Sequence, residues 1–485
     1  MDLEELLNLD VGSSAISAIL LQICILCLLL AVGKLLRVKV RLFQNLFLPA
    51  SVLAGFLGLI LGPFLLGSIL PFEIIPKGMS SSWSFYPGVL VNIVFACLLL
   101  GMRLPTLKEV GTKAGPQISF GIIMGGMGDY LVGTVLTLLI LMPLFNIDPT
   151  FATLIEIGFS GGHGTAGGMA TVFREGIPGT DWSFPEGADL AMTSATIGIV
   201  TAVALGMFLI NVGARKGYCR ILVRPENLSV EERRGIVPKG EARAIAKGTV
   251  CSTSIEPLAF TMIFVGISIL IGWLIVRGLA AIHIYLSTMP IFPFAMIGGI
   301  IIQWSMVKLK IDYLIDRGSV ERIMGLALDF LIVSAIASIK IPIIIEYALP
   351  LLILMGGAIA YNTLLTWYLA PRMLPDAWFE RGMAEYGMQC GLTATGLALL
   401  RVMDPDYKTP AAEAFAFKQI AYEPFLGGGL FTAMSPIIVV TLGLKWLLAI
   451  AMIAIAASLI ITWVCGWFHP HPRRSFDAED EEMGS

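Results

Sequence analysis

The stretch GFSGGHGTAGGMA, from Gly158 to Ala170, holds six glycines in thirteen residues, together with the polar side chains of Ser160, His163 and Thr165. Glycine lets the backbone turn in non-helical conformations at little steric cost. Where such a stretch ends a helix, its free N–H groups can bind an anion and its free carbonyl groups can bind a cation. Glycine clusters also serve close helix packing alone, but packing does not need the three polar side chains. The stretch is therefore a candidate site for an ion or a charged solute.

The composition places this candidate site inside a membrane protein. Hydrophobic residues make up 56% of the 485 residues and charged residues 14%, with a mean hydropathy of +0.84, whereas soluble domains carry about 25% charged residues. Bundled helices are expected, because lipid cannot satisfy open backbone groups. The seven scattered cysteines follow no zinc or disulfide pattern, and no basic, aromatic-rich face indicates nucleic-acid binding. The predicted class is an all-α polytopic membrane protein.

The apolar runs predict eleven membrane spans. They cover residues 15–36, 45–70, 84–102, 116–143, 186–212, 257–280, 289–307, 322–339, 347–370, 412–442 and 446–468. Lys and Arg concentrate after the first, third, fifth and seventh spans, with nine of them between Arg215 and Lys247. Because basic loops remain in the cytoplasm, residues 1–14 are expected outside, and the C-terminus is expected inside.

The number of crossings predicts two re-entrant loops. Four spans from an outside start return the chain to the outside near Asn146, yet the basic segment from Arg215 must be inside. Of the two apolar stretches between these points, only 186–212 can therefore cross. Residues 150–175, which contain the glycine-rich stretch, then enter and leave from the outside. By the same count, residues 384–403 enter and leave from the cytoplasm.

Five spans with one loop, followed by five spans with a second loop from the opposite side, form an inverted repeat. Three matches recur in the same order: LPASVLAG (48–55) with FPFAMIGG (292–299), MGGMGDY (124–130) with MGGAIAY (355–361), and the glycine-rich stretch with GMQCGLTATGLAL (387–399). The predicted organisation is a first repeat over 15–212, a cytoplasmic linker over 213–256, a second repeat over 257–442, an extra transmembrane helix over 443–468 and a cytoplasmic tail over 469–485.

Two loops that enter from opposite sides would meet near the middle of the membrane. Irregular backbone is tolerated at that depth only where protein or a water-filled cavity surrounds it. Broken segments can there present N–H groups to an anion and carbonyl groups to a cation, as in the substrate sites of secondary transporters. A selectivity filter also uses re-entrant loops, so an ion channel remains an alternative.

The residues SGGHGTAGG (160–168), the opposed loop GLTATG (391–396) and the central cytoplasmic segment resemble the bacterial sodium/glutamate symporter family over most of residues 15–442. The resemblance implies two inverted five-helix repeats with re-entrant loops, a homodimer, and elevator-like movement of a substrate-carrying core against a scaffold. It also implies sodium-driven uptake of L-glutamate across the bacterial inner membrane, with sodium as coupling ion and no cofactor. The chain departs from the family pattern in its extra span, its longer linker and the lack of a proline in the second loop.

A glutamate-like substrate carries two carboxylates and an ammonium, so its site needs hydrogen-bond donors. The expected substrate-binding residues are Ser160, Gly161, Gly162, His163, Gly164 and Thr165 of the first loop and Gln389, Gly391, Thr393 and Thr395 of the second. Sodium needs oxygen ligands, and those expected are Asp129, Gly161 and Thr393. Asp129 could also bind the substrate ammonium or serve only as a structural carboxylate.

Other ionisable residues in apolar segments are functional candidates, because charge is costly to bury in a membrane. Asp329 lies in the eighth span, and Glu156 and Glu385 precede the two loops at matching positions, where they could act as gates. Lys418 and Glu423 share the tenth span and are expected to pair with each other, with contact between Lys418 and a substrate carboxylate as the alternative.

The first loop also carries a histidine, and an arginine follows each loop. His163 is expected to anchor its loop by a hydrogen bond, and direct proton coupling is the less favoured interpretation. Arg174 and Arg401 follow the two loops at similar distances. Each is expected to complement a helix C-terminus or to snorkel, and attraction of substrate is the alternative.

Other functions remain open at this point. The same architecture could carry a dicarboxylate or hydroxycarboxylate, coupled to sodium or protons. A different class of protein would be an anion channel, or a sensor whose linker 213–256 docks a soluble partner. An enzyme is least favoured, because the sequence brings together no nucleophile, histidine and carboxylate, and no metal-ligand cluster.

Overall fold

The computed structural model describes residues 12–45, 48–103, 106–219, 237, 244–404 and 408–472, and all regular structure in these ranges is helical. The main helices of the first half are α1 (Ser13–Lys39), α2 (Ala50–Leu61), α3 (Tyr86–Cys97), α4 (Leu107 to Phe145), α5 (Leu154–Gly158), α6 (Gly162–Glu175) and α7 (Glu186–Arg215). Those of the second half are α8 (Pro257–Ile282), α9 (Phe292–Leu309), α10 (Arg317–Ala337), α11 (Ala348–Tyr368), α12 (Trp378–Gln389), α13 (Thr393–Met403), α14 (Ala411–Tyr422), α15 (Leu430–Leu442) and α16 (Leu444–Val464).

Eight helical stretches in the described part of the chain are long and apolar enough to cross a membrane. They are Ser13–Lys39, Ala50–Ile69, Lys108–Phe145, Glu186–Arg215, Pro257–Ile282, Phe292–Leu309, Ala348–Met373 and Leu444–Val464. Each overlaps one of the eleven predicted spans. Most of the predicted linker, at 220–236 and 238–243, and the tail from 473 lie outside the described residues.

The tenth predicted span is not one helix. Residues 412–442 form α14 and α15, separated by a non-helical segment at 423–429. Pro424 has no backbone N–H to continue a helix, and Gly427 and Gly428 take positive φ angles of 67° and 99°. The prediction of a continuous helix was therefore wrong at this point.

Both glycine-rich stretches are broken helices, as expected. The first runs as α5, a break at 159–161 and α6, and the second runs as α12, a break at 390–392 and α13. Gly162 opens α6 with a φ angle of +62°, a conformation that residues with a β-carbon rarely adopt. That each broken pair re-enters the membrane remains a prediction.

Two helices begin at carboxylate caps. The side chain of Glu256 accepts hydrogen bonds from the first backbone N–H groups of α8, and that of Asp316 accepts one from Ser319 of α10. Partial burial acts to raise the pKa of the Asp316 carboxyl, but N–H donors from Lys247 and Ser319 outweigh it and lower the pKa below its usual value. The start of α10 is thereby tied to the last described part of the linker.

The helices form an interior core with apolar outer faces. α3 and α10 pack on each other, α2 packs on α10, and α9 packs on α3. α6 lies against α3 and α7, while α14 lies against the first part of α4. Large apolar side chains point outward on the outer helices, such as Leu28 of α1 and Ile453 of α16, which are 65% and 69% exposed.

The extra helix α16 covers one side of this core. It packs on α4 and α15. After it, the Trp467 ring lies so close to Gly115 of α4 that a β-carbon there would collide with it, and the backbone N–H of His469 donates to the carbonyl of Arg372. The helix is therefore an integrated part of the fold.

Candidate functional site

Three helix breaks meet in the interior of the protein: 159–161, 390–392 and 423–429. A β-carbon on Gly162 would collide with the Leu392 side chain of the second break. One on Gly428 of the third break would collide with Thr165 and would lie 3.5 Å from the Cα of Gly161. Glycine at these positions lets the three backbones approach one another.

A buried carboxylate joins the first break to the third. Glu156 of α5 is fully buried. Its Oε2 accepts a hydrogen bond of 2.5 Å from the Ser160 hydroxyl, and its Oε1 accepts one of 2.9 Å from the backbone N–H of Gly427. Both oxygens therefore have protein donors, from two different breaks.

His163 is hydrogen-bonded to a neighbouring helix. Its Nε2 lies 3.0 Å from the Thr196 hydroxyl of α7, which itself donates to the Met192 carbonyl. The direction of the His163–Thr196 bond follows the imidazole tautomer, and Nδ1 has no partner among the described residues. This arrangement agrees with the expectation that the histidine anchors the loop.

The other residues proposed for the first loop are closely packed. Gly161 contacts Thr165, and a β-carbon on Gly164 would lie 3.2 Å from Val91 of α3. The Thr165 hydroxyl is buried and lacks a hydrogen-bond partner within the described ranges. The loop thus keeps one polar side-chain atom available close to the third break.

A charged cluster lies beside the second break. The Lys418 ammonium of α14 lies 2.7 Å from Oε1 of Glu385 of α12, and both side chains are fully buried. Lys418 also donates to Oε1 of Gln419 and to the Met388 sulfur, each at 2.9 Å. The expected Lys418–Glu423 pair was wrong, because Lys418 forms its ion pair with Glu385.

Gln389 belongs to the same cluster. Its amide nitrogen donates to Oε1 of Glu385 at 2.6 Å and makes longer bonds of 3.3 Å to the Gly121 carbonyl and the Tyr422 hydroxyl. Its buried Oε1 has no partner in the part of the chain that the structure describes. The Tyr422 ring lies under Lys418, with its centroid 3.6 Å from the ammonium.

A π-helical turn of α4, Ile122–Gly126, lies against this cluster. A β-carbon on Gly121 would lie 2.7 Å from Oε1 of Glu385, and one on Gly125 would lie 2.7 Å from Cγ of Gln389. π-Helical turns are uncommon in proteins, and those that occur often lie at functional sites. The glycines of this turn therefore make room for the charged and amide side chains.

Glu423 binds the second break rather than Lys418. The Thr393 hydroxyl donates to Oε1 of Glu423 at 2.5 Å, and the Gln419 amide donates to both, at 2.6 Å to Thr393 and 2.7 Å to Glu423. Gly391 and Thr395, also proposed as substrate-binding, pack on each other beside this group, where a β-carbon on Gly391 would lie 3.2 Å from the Thr395 hydroxyl.

Asp129 lies on α4 and is fully buried. Its Oδ1 accepts a hydrogen bond of 3.2 Å from Asn362 of α11, and its Oδ2 has no partner among the residues described. The other two proposed sodium ligands, Gly161 and Thr393, contact different neighbours. The three residues therefore do not form a single coordination shell around one ion position. The described residues hold no group of three or more His, Cys, Asp and Glu suited to a metal ion.

The remaining candidates lie away from the breaks. Asp329 is exposed on α10. Arg174 and Arg401 occupy the last turns of α6 and α13, where a cation complements the helix dipole. Sequence reasoning missed Gln419, Tyr422 and the π-helical turn, although the glycines of EPFLGGG (423–429) and MGGMG (124–128) could have indicated both regions.

Apolar helices long enough to cross a membrane, with charged groups buried between broken helices, are typical of a polytopic membrane protein. The family model of the sodium/glutamate symporters matches residues 16–402. The chain belongs to that family, and it is therefore a multi-pass membrane transporter rather than an enzyme, with sodium and glutamate as the substrates that the family implies. No curated protein and no solved structure matches the chain.

Proposed function

We propose that the protein is a sodium-coupled symporter that takes up L-glutamate or a closely related anionic amino acid. Family membership supports this proposal, and the observation that carries it is the convergence of three helix breaks on buried charged side chains. Broken helices expose N–H and carbonyl groups that bind substrate and ions in secondary transporters.

The charges of the cluster favour an amino acid over a plain diacid. Glu156, Glu385 and Glu423 bring three carboxylates to the breaks, and Lys418 brings one ammonium. That ammonium is already paired with Glu385. An anionic amino acid adds one unit less of negative charge to this excess than a plain diacid does, because its own ammonium offsets one of its carboxylates, so fewer accompanying sodium ions are needed.

We further propose two inverted repeats that move by an elevator-like mechanism in a homodimer. The helix pairing supports the repeat, because α1 packs on α2 as α8 packs on α9, and α2 packs on α10 as α9 packs on α3. α3 and α10, the third helices of the two halves, pack on each other. The exposed apolar faces of the outer helices leave room for a second copy as well as for lipid.

Two cavities support access from both sides of the membrane. One of about 490 Å³ is lined by Thr171 of α6 and Arg277 of α8. The other, of about 440 Å³, is lined by Arg317 of α10 and by Glu413 and Phe417 of α14. In the predicted topology the first opens to the outside and the second to the cytoplasm.

The test is uptake of radiolabelled L-glutamate into proteoliposomes with an inward sodium gradient, an inward proton gradient or neither. Accumulation only with sodium, inhibited by anionic amino acids more than by plain diacids, is expected. Accumulation with protons alone, or inhibition mainly by diacids, would assign the protein to the dicarboxylate alternative. Large currents that do not depend on a sodium gradient would indicate a channel.

Two carboxylate variants refine this test. Asp129→Asn is expected to raise the sodium concentration for half-maximal uptake, because Oδ2 of Asp129 is buried without a partner among the described residues. Asp329→Asn is the matched control, since this carboxylate is exposed on α10. Equal sodium activation in both variants would remove Asp129 from the ion site.

The re-entrant topology has a separate test. Thr180 lies between α6 and α7, and Asp376 lies between α11 and α12. A single cysteine at each position in a cysteine-free background is expected to react with a membrane-impermeant maleimide from opposite sides of the membrane. Labelling of both from the same side would exclude the proposed pair of opposed loops.

A further inference from the structure

We propose that the ammonium of Lys418 is a resident cation that occupies a monovalent-cation site built around Glu385, and that sodium binds there when the lysine side chain is shortened. This inference deepens the proposed function, because it concerns how many cations the interior of the symporter accepts. It concerns a different carboxylate from Asp129.

The ammonium is held as a small cation would be. Its three acceptors are Oε1 of Glu385, Oε1 of Gln419 and the Met388 sulfur, at 2.7, 2.9 and 2.9 Å. The ring of Tyr422 covers it at 3.6 Å, a cation–π contact. A charge buried in this way is stable only with close partners.

Further oxygens surround the same position. The Gly121 carbonyl, on the turn before the π-helical segment, lies 3.3 Å from the Gln389 amide nitrogen and 3.5 Å from the Tyr422 hydroxyl. Oε1 of Gln389 is fully buried and lacks a partner among the described residues. Rotation of this amide would bring an oxygen toward Glu385 in place of the nitrogen.

Glu385 depends on Lys418 more than Glu156 and Glu423, the other two glutamates at the breaks, do. Glu156 is held by Ser160 and Gly427, and Glu423 by Thr393 and Gln419, all of them neutral donors. Glu385 accepts from two glutamine amides, Gln117 and Gln389, and from the only ammonium of the cluster. Without the lysine, the side-chain donors to this carboxylate in the described part of the chain are the two neutral glutamine amides, and a small cation would be attracted to it.

The space for that cation is set by the lysine side chain. A β-carbon on Gly121 would lie 2.9 Å from Cε of Lys418, so the lysine fills the volume between α4 and α12. Lys418→Ala empties this volume, whereas Lys418→Met removes the charge and keeps it filled. The two substitutions therefore separate loss of charge from loss of an occupant.

The experiment compares thermal unfolding midpoints of the full-length protein in detergent, in sodium chloride and in choline chloride at equal ionic strength. A ligand that binds only the folded state raises the midpoint with its concentration. Lys418→Ala is expected to gain a sodium-dependent rise larger than that of the wild type. Lys418→Met and the double variant Glu385→Gln/Lys418→Ala are expected to show only the wild-type response.

An exposed ion pair supplies the surface control. Lys113→Ala removes the lysine of the Lys113–Glu413 pair, whose side chains are 46% and 54% exposed, and is expected to respond like the wild type. A sodium response of Lys418→Ala equal to that of the wild type, or unchanged by Glu385→Gln, would overturn the inference. So would failure to recover Lys418→Ala in either salt when the double variant is recovered in both.

The midpoints do not depend on any transported substrate, so the two proposals can fail separately. Absence of glutamate uptake by the wild type would refute the proposed substrate and leave the midpoint comparison valid. If uptake does occur, Lys418→Ala is expected to show a sodium Hill coefficient higher than the wild type by about one, because each bound ion adds to the linkage.

Discussion

The contact between the π-helical turn of α4 and Gln389 gives the sharpest test of the site's geometry. In Gly125→Ala, the new β-carbon would lie 2.7 Å from Cγ of Gln389 and closer still to its amide group. Ordinary contacts begin at 3.4 Å, so Cγ must retreat by about 0.7 Å and the amide by more, in an interior with little free volume.

The expected cost follows from the bonds that this movement breaks. The amide of Gln389 donates to the Glu385 carboxylate at 2.6 Å, and a hydrogen bond to a charged group contributes about 1.5–3 kcal/mol. Overpacking a filled interior destabilises the fold by a further amount of about 1–3 kcal/mol. Alanine in place of a helical glycine stabilises the helix by about 1 kcal/mol. The net destabilisation is therefore about 1.5–5 kcal/mol.

The assay measures unfolding midpoints in detergent and sodium-driven uptake in proteoliposomes. Gly125→Ala is expected to lower the midpoint by several degrees and to reduce uptake, because the displaced Gln389 amide no longer holds the Glu385 carboxylate. Gly356→Ala is the matched control, because Gly356 lies in α11 with no atom within 4 Å of the added β-carbon. It is expected to leave uptake unchanged and the midpoint equal or slightly higher.

A double variant isolates the collision. If contact with Gln389 causes the loss, Gly125→Ala/Gln389→Ala is expected to be no worse than Gln389→Ala alone, because the smaller side chain leaves room for the new carbon. Wild-type behaviour of Gly125→Ala, or full additivity of the two losses, would refute the proposed packing of α4 against the second break.

Three other variants test separate parts of the structure. Gly162→Ala places a β-carbon at a φ angle of +62° against Leu392 and is expected to reduce both midpoint and uptake; a wild-type result would contradict this backbone conformation. Glu156→Gln places an amide group where the Ser160 hydroxyl and the Gly427 N–H both donate, and it is expected to impair uptake more than Ser160→Ala does. A larger loss of uptake in Ser160→Ala would contradict the role of Glu156 in joining the first break to the third. Asp316→Asn is expected to lower the midpoint at pH 7 by weakening a helix cap worth about 1 kcal/mol. Because the pKa of Asp316 is lowered from its ordinary value of 3.8, the wild-type advantage is present above that value and is lost as the pH falls through the lowered pKa. A constant difference down to pH 3 would refute the role of the charge.

The helices that hydropathy predicted well are those whose apolar character is a local property. α1, α7 and α8 overlap their predicted spans, with ends displaced by a few residues, because a run of about 20 apolar residues is sufficient to indicate such a helix. The two glycine-rich breaks were also predicted, since glycine clusters with polar neighbours interrupt helices within a few residues.

The contacts between distant segments could not be predicted in this way. Lys418 and Glu423 are five residues apart, a spacing that does not place two side chains on one helix face, unlike spacings of three or four. Lys418 instead reaches Glu385 on α12, which is separated from α14 by the second break and α13. A single sequence carries no signal for this pair, because it depends on how α12 and α14 pack.

The segment that follows the family match supplies partners to the buried carboxylates within the match. The match ends at residue 402, before α14. Yet Glu156 is bound by Gly427, Glu385 by Lys418, and the second break by Glu423. The buried carboxylates of the matched region are thus completed by residues that follow it. A buried carboxylate that loses its donors is strongly destabilised, so residues 411–429 are required for the interior to fold around these charges. Since the same residues supply the ammonium and one of the three carboxylates at the breaks, substitutions in this segment are expected to alter the sodium dependence of uptake.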